Sequence, residues 1–350
     1  MNAEFFSAIA DIEKEKGIPQ TYMLEKIEQA LLAALKKDYP NCTECTRVVL
    51  NPITKTVDMY LEKAVVDTVE NPNTQYSYEQ AQAISPGAVT GDIINEPVDM
   101  LKFGRIAAQA AKQVIIQGIR EAERNLIYDE YTSKEHEILT GVVTRVDNRS
   151  GAVSIQIGAG SENTEAMLSP SERIPTEPLR DGDRIKVYVV EVRKSTRGPQ
   201  ILISRTHPGL VKRLFELEVP EIFEGLIEIR SIAREAGNRT KIAVWSNDPD
   251  IEPIGACVGQ KGARVNMIVD ELGGEKIDII KYSDDPTEYI AAALSPSDVV
   301  SVTMLDNGKS CRVIVPDNQL SLAIGKEGQN VRLAARLTGF KIDIKPESQT

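Results

Sequence analysis

Two related stretches in the last third of the chain constrain its fold more than any other feature. VGQKGARV (258–265) aligns with IGKEGQNV (324–331), and LGGEKIDI (272–279) aligns with LTGFKIDI (337–344). A strand-like run precedes each copy, TKIAVWS in the first and SCRVIVP in the second. Because both patterns repeat in the same order and at nearly the same offset, the region predicts two copies of one supersecondary unit.

We place these units at 204–281 and 282–350 and predict the order α-β-β-α-α-β in each. The first helix of the first unit is expected at about 209–225, and that of the second at 286–294. Asp285 followed by Pro286 is a good start for the latter helix, because Asp caps free N–H groups and Pro fits the first turn.

The two Gly-x-x-Gly pairs, Gly259/Gly262 and Gly325/Gly328, are the only ones in the sequence. Each lies between two predicted helices, where a sharp turn needs residues that tolerate positive φ. A turn without Cβ atoms lets another backbone approach closely, and the following helix presents the positive end of its dipole. These properties suit the phosphate backbone of a single-stranded nucleic acid. The alternative, glycines that serve only helix packing, remains open, and no Gly-x-x-x-x-Gly-Lys-Ser/Thr phosphate loop occurs.

The region before the repeat divides into two parts with different sequence patterns. Residues 1–134 predict an α+β domain with helices at 3–16 and 21–38, two strands, and a long helix at about 101–131. Residues 135–203 contain short apolar alternations separated by turn residues, such as DGDRIKVYVVEV and PQILISRT. Several short strands within about 70 residues predict a small closed barrel of the OB-fold type.

Composition argues against an enzyme and against a broad polyanion-binding surface. The net charge is −11, so any nucleic-acid binding must be local. The two histidines, His136 and His207, leave little material for acid–base catalysis. Cys42 and Cys45 form one close pair without the second pair that a structural zinc site needs, and we expect two free thiols there. We expect no metal, no cofactor, no membrane span, and a cytoplasmic monomer.

Several stretches resemble the NusA family of bacterial transcription elongation factors. IGACVGQKGARV and LAIGKEGQNVRLAARLTG look like the two KH (type II) domains of that family. The preceding barrel resembles an S1 motif, with GVVTRVDNRSGAVSIQIG and GDRIKVYVVEV in the expected places, and NAEFFSAIADIEKEKGIP resembles the start of the polymerase-binding domain. The resemblance covers essentially the whole chain in the family's order.

The resemblance implies an RNA-binding factor that modulates pausing, intrinsic termination and antitermination. It implies that residues 1–134 bind RNA polymerase at the β subunit flap near the RNA exit channel, with the α subunit as a further contact. Nascent single-stranded RNA and other Nus factors are the remaining implied partners.

The candidate RNA-binding residues fall into three groups. Those of the first KH turn are Gly259, Gln260, Lys261, Gly262 and Arg264. Those of the second are Gly325, Lys326, Gly328, Gln329, Asn330 and Arg332. Those of the barrel are Arg145, Arg193, Lys194 and Arg197. An equal alternative is that these four side chains are simply charged surface residues in contact with solvent. Glu327 lies inside the second turn, so we expect that turn to bind anions less well than the first.

Two other classes combine similar modules. A phosphorolytic RNA-degrading enzyme also carries KH and S1 domains, but after large catalytic domains and with KH before S1, the reverse of the order here. A ribosome-associated KH protein would be expected to be strongly basic, which a net charge of −11 opposes.

Overall fold

A computed structural model shows two compact units, Met1–Ile127 and Tyr128–Thr350. The residues that the structure describes are 2–98, 104–147, 149–158, 164–195, 198–305 and 308–349. Among them, no helix combines the length and the apolar character that crossing a bilayer requires.

The N-terminal part is α+β, as predicted from its sequence. Its helices are α1 (Asn2–Lys16), α2 (Gln20–Asp38), α3 (Tyr78–Ile84) and α4 (Gly104–Thr132). Its strands are β1 (Thr46–Asn51), β2 (Thr56–Val66), β3 (Gln75–Ser77) and β4 (Ile93–Pro97). The long strand β2 pairs with the other three. Apolar residues spaced along α1 and α2, such as Phe6, Ile9, Ile27 and Leu35, are buried, because each helix turns one stripe towards the core.

The prediction of two free thiols near residue 42 is wrong, because Cys42 and Cys45 form a disulfide. The single turn Pro40–Cys42 brings their Cα atoms to 5.3 Å, within the range that a disulfide spans. Both residues are buried.

The predicted barrel is confirmed. Its strands are β5 (Ile138–Val146), β6 (Val153–Ile157), β7 (Thr164–Leu168), β8 (Arg184–Arg193) and β9 (Gln200–Ser204), and they close in the order β5-β6-β7-β9-β8. Alternate residues such as Val153, Ile155 and Ile157 are fully buried, as expected of strands whose inner face fills a small barrel.

Two α/β units follow the barrel and share one topology. The first contains α5 (Pro208–Glu218), α6 (Pro220–Phe223), β10 (Ile227–Glu235), β11 (Arg239–Ser246), α7 (Pro253–Val258), α8 (Ala263–Glu271) and β12 (Lys276–Lys281). The second contains α9 (Pro286–Ala293), β13 (Ser301–Met304), β14 (Ser310–Val315), α10 (Leu320–Ile324), α11 (Gln329–Thr338) and β15 (Lys341–Pro346). In each, the central strand pairs antiparallel on one side and parallel on the other.

The first helices differ slightly from expectation. The helix expected at 209–225 is interrupted, since Pro220 begins the separate short helix α6. Asp285 caps α9 as predicted, accepting a hydrogen bond from the backbone N–H of Thr287 at 2.8 Å.

Arg205 joins the barrel to the first α/β unit. Its fully buried guanidinium donates to the carboxylates of Glu177 and Glu271, to the backbone oxygen of Lys186 at 2.7 Å and to that of Glu271 at 2.9 Å. Close by, the Tyr188 ring stacks on His207 with a centroid distance of 4.7 Å. One charged side chain thus fixes β8 and the segment before it to the end of α8.

The two α/β units share a hydrophobic core. Ala233, Ala243 and Ile280 of the first sheet lie in one buried cluster with residues of α9 and α11. The Lys241 ammonium is fully buried within the same junction, donating to the Ser295 oxygen at 2.7 Å and lying 3.0 Å from Asp278. Because a buried ammonium needs all its partners in place, this contact fixes the second unit against the first.

Candidate nucleic-acid interface

The two Gly-x-x-Gly turns have the same backbone conformation. Gly259 has φ 73° and ψ 177°, and Gly325 has φ 77° and ψ 170°. The third residue of each turn, Lys261 or Glu327, is left-handed with φ of 51° or 55°. The closing glycines, Gly262 and Gly328, are left-handed as well, with φ of 80° and 75° and ψ of 12° and 16°. The repeat seen in the sequence is therefore a repeat of one turn geometry.

The first glycine of each turn is the strictly required one. Positive φ combined with ψ near 180° is a region that essentially only Gly enters. A Cβ on Gly259 would lie 2.8 Å from Cγ of Arg264, and a Cβ on Gly325 would lie 2.7 Å from the backbone nitrogen of Asn330. At Gly262 a Cβ would lie 3.2 Å from Nδ2 of the exposed Asn266 side chain, which can move aside, and at Gly328 a Cβ would meet nothing within 4 Å. The second glycine thus tolerates residues such as Asn or Asp that enter the left-handed region.

Two predicted contact residues brace the turns through hydrogen bonds within the chain. Arg264 donates to the Ala256 oxygen at 2.6 Å and to Glu221 at 2.9 Å. Asn330 is only 2% exposed and donates to the Leu294 and Ala323 oxygens, each at 3.0 Å. A direct RNA contact by the Asn330 side chain does not fit this position.

Two further candidates beside the second turn are bound to a carboxylate of the first α/β unit. Arg332 places Nε 2.6 Å from Glu235, and Gln329 donates its amide to Glu235 at 2.9 Å. Arg336 lies 3.9 Å from the same carboxylate. The Arg332 guanidinium holds the pKa of Glu235 below its usual range, so this carboxylate is ionised at neutral pH.

The remaining candidates in the turns are exposed. Gln260 and Lys261 in the first turn, and Lys326 with Glu327 in the second, all point to solvent. The equivalent third positions carry opposite charges, a cation in Lys261 and an anion in Glu327. This difference favours the first turn as the better site for a phosphate group.

The case for RNA binding by the cations of the barrel is weaker. Arg145 is exposed on β5. Arg193 pairs with Glu191 at 2.6 Å, and the Lys194 ammonium lies 4.4 Å from the centroid of the Tyr128 ring. Arg197 lies outside the described residues. Tyr188, the aromatic residue that could have stacked on a base, is only 6% exposed and belongs to the junction with α5.

The carboxylates that hold these arginines were not identified from the sequence. Glu221 lies 43 residues before Arg264, and Glu235 lies 97 residues before Arg332. Neither spacing has a local signature, because the pairs form only when α6 packs beside the first turn and β10 beside α11. Glu235 ends β10, whereas the strand that directly precedes the first repeat is β11, so no feature of the repeat itself points to Glu235.

Comparison with known proteins matches every part of the chain. Four family descriptions apply: NusA N-terminal domain at 4–125, S1 RNA binding domain at 132–204, NusA-like first KH domain at 205–282 and NusA-like second KH domain at 286–350.

Three relatives that match over nearly their full length bear the description transcription termination/antitermination protein NusA. The Halalkalibacterium halodurans protein is 51% identical over 349 residues, which cover 100% of this chain and 90% of the relative. The Bacillus subtilis protein is 51% identical over 99% of this chain and 92% of its own length. The Thermus thermophilus protein is 44% identical over 98% and 89%. With this identity along the whole sequence, and with the barrel and paired Gly-x-x-Gly units in the same order, the chain belongs to the NusA family of transcription termination/antitermination proteins.

Proposed function

We propose that this chain binds single-stranded RNA through its two Gly-x-x-Gly turns and RNA polymerase through residues 1–134. By holding the emerging transcript beside the enzyme it modulates pausing, termination and antitermination. The polymerase contact is assigned to the β subunit flap near the RNA exit channel, with the α subunit and other Nus factors as further partners.

The observation that carries the RNA-binding half of the proposal is the matched geometry of the two turns. Both present a backbone that no Cβ obstructs at the close-approach position, followed by a helix of nine or ten residues whose positive end is directed at the turn. Apolar side chains flank the second turn, with Leu322 47% exposed and Ile324 36% exposed. In a KH domain, a phosphate group binds at the turn and the bases lie against the apolar surface beside it.

The second glycine of each turn permits a matched test. Gly262→Asp/Gly328→Asp and Gly262→Asn/Gly328→Asn have the same shape and the same tolerance of left-handed φ, but only the first adds charge. We expect the Asp pair to weaken binding of a short fluorescent single-stranded RNA at least tenfold, and the Asn pair to stay within about threefold of the parent. Equal affinities for the Asp and Asn variants would refute phosphate binding at these turns.

The polymerase-binding half is supported by family membership and by three exposed apolar residues in the unit Met1–Ile127. Ile84 is 52% exposed, Val89 56% and Ile93 64%, and all three lie in α3, in β4 or in the segment between them. Exposed apolar residues grouped in one segment are typical of interaction surfaces.

Capture on immobilised core RNA polymerase tests this half without RNA. The fragment 1–134 and the full chain should both be retained at low salt. Ile84→Asp/Ile93→Asp in the full chain should reduce retention at least tenfold. Ile53→Asp, which alters a 91% exposed isoleucine in the β1–β2 turn, is the control and should have no effect. A fragment that polymerase does not retain would contradict this assignment.

A further inference from the structure

The ion pairs beside the second turn suggest a role for a residue that lies in the other α/β unit. Glu235 ends strand β10, yet its carboxylate lies against the first two turns of α11. One carboxylate oxygen is 2.6 Å from Nε of Arg332, and the other accepts from Nη2 of Arg332 at 3.2 Å. Gln329, the first residue of α11, completes the set.

This arrangement resembles the way a protein binds a phosphate group. Two arginines and an amide of α11 surround one anion, and a two-point contact from a guanidinium is the geometry that suits both carboxylate and phosphate. Arg332 and Arg336 remain 44% and 56% exposed, whereas Glu235 is only 19% exposed. Both arginines are therefore accessible to a ligand, but the Glu235 carboxylate already offsets part of their positive charge.

We propose that Glu235 acts as an internal counter-anion that competes with the RNA backbone for Arg332 and Arg336, and that it sets the affinity of the second Gly-x-x-Gly turn. This inference rests on the proposed RNA-binding function and adds a residue that determines the strength of one of its two sites. Together with Glu327 inside the turn, Glu235 makes the second site the weaker one.

The charge balance explains why the effect should be large enough to measure. Removing the Glu235 charge releases two cations within reach of the same turn. For single-stranded RNA each additional cation that takes part in binding steepens the log–log dependence of affinity on salt by about 0.7. The change is thus visible as a slope as well as an affinity.

Glu235→Gln in the full chain is the direct test, because Gln keeps the size and a hydrogen-bonding oxygen. We expect roughly three- to tenfold tighter binding of a short single-stranded RNA at low salt, and a salt dependence steeper by about 0.7 to 1.4. Glu228→Gln is the matched control. It lies on the same strand and removes the same charge, but its partner is Arg230, 3.2 Å away in its own unit. It should change affinity less than twofold.

A second variant separates competition from a purely structural role. Arg332→Gln should weaken binding, whereas Glu235→Gln/Arg332→Gln, which removes the pair without changing net charge, should return to within about twofold of the parent. Unchanged or weaker binding by Glu235→Gln would overturn the proposal and leave the ion pair as a brace between the two α/β units. Absence of RNA binding by the parent chain itself would overturn the proposed function, and this inference with it.

Discussion

Arg264 and Asn330 hold equivalent positions, each two residues after the closing glycine of its turn, and each donates a hydrogen bond back across the turn. Arg264 reaches the Ala256 oxygen at 2.6 Å, and Asn330 reaches the Ala323 oxygen at 3.0 Å. Both acceptors belong to the short helix that precedes the turn. Two chemically different side chains therefore close the same turn from the same place.

The first prediction concerns the stability that the hydrogen bonds of Asn330 give to the second α/β unit. Asn330→Ala removes the side-chain donor to the buried Ala323 oxygen and one of two donors to the Leu294 oxygen, which keeps the N–H of Ser297, so the free energy of unfolding should fall by about 1–3 kcal/mol. Asn266→Ala is the control, because Asn266 is an exposed residue of α8, and it should cost less than about 0.5 kcal/mol. Urea unfolding followed by circular dichroism measures both. Equal losses for the two variants would contradict the role of Asn330 as a brace.

The second prediction concerns the joint between the barrel and the first α/β unit. Arg205→Lys keeps the positive charge but loses the branched guanidinium, whose nitrogens reach Glu177, Glu271 and the Lys186 oxygen at the same time. Because the site is buried, the free energy of unfolding of residues 128–350 should fall by about 3 kcal/mol.

Arg180→Lys provides the comparison for that experiment, since Arg180 is exposed on the segment before β8. Its unfolding midpoint in urea should match that of the parent. If Arg205→Lys also unfolds at the parent midpoint, the buried guanidinium is not what holds the joint.

The sequence was sufficient to predict elements whose cause is local. Asp285 before Pro286 correctly predicted a helix start, and the periodicity of apolar residues predicted α1 and α2. It also predicted positive φ at the four glycines of the two turns, because the repeat located them in equivalent positions. The roles of Asn330 and Tyr188 could not be predicted, because each is buried by a neighbouring segment whose position depends on tertiary packing.

The pairing of Arg332 with Glu235 could not be predicted from the sequence for the same reason. Arg332 in isolation is a reasonable phosphate ligand, and only the packing of β10 beside α11 places Glu235 next to it. The conformation of Gly259 is open essentially only to Gly, so Gly259→Asp would combine lost contact with backbone strain.

The third prediction concerns the two cysteines outside the disulfide. Cys257 and Cys311 are fully buried. Burial raises the pKa of Cys257 to about 12 and also raises that of Cys311, so neither forms the reactive thiolate near pH 8. In a Cys42→Ser/Cys45→Ser background, a thiol reagent should modify neither within an hour in the folded state and both in guanidinium. Modification of either thiol in the folded chain would show that its domain opens locally.

The last prediction concerns the barrel, whose charged rim has two possible roles. Arg193 is already paired with Glu191, Lys194 lies over Tyr128, and buried Tyr188 offers no platform for a base. We therefore expect Arg145→Gln/Arg193→Gln/Lys194→Gln to weaken binding of a short single-stranded RNA less than about threefold. The salt dependence should flatten by no more than about 0.7, the contribution of one cation. The Gly262→Asp/Gly328→Asp variant, measured beside it, should lose at least tenfold. A larger loss for the barrel variant than for the turn variant would move the principal RNA contact from the KH turns to the barrel.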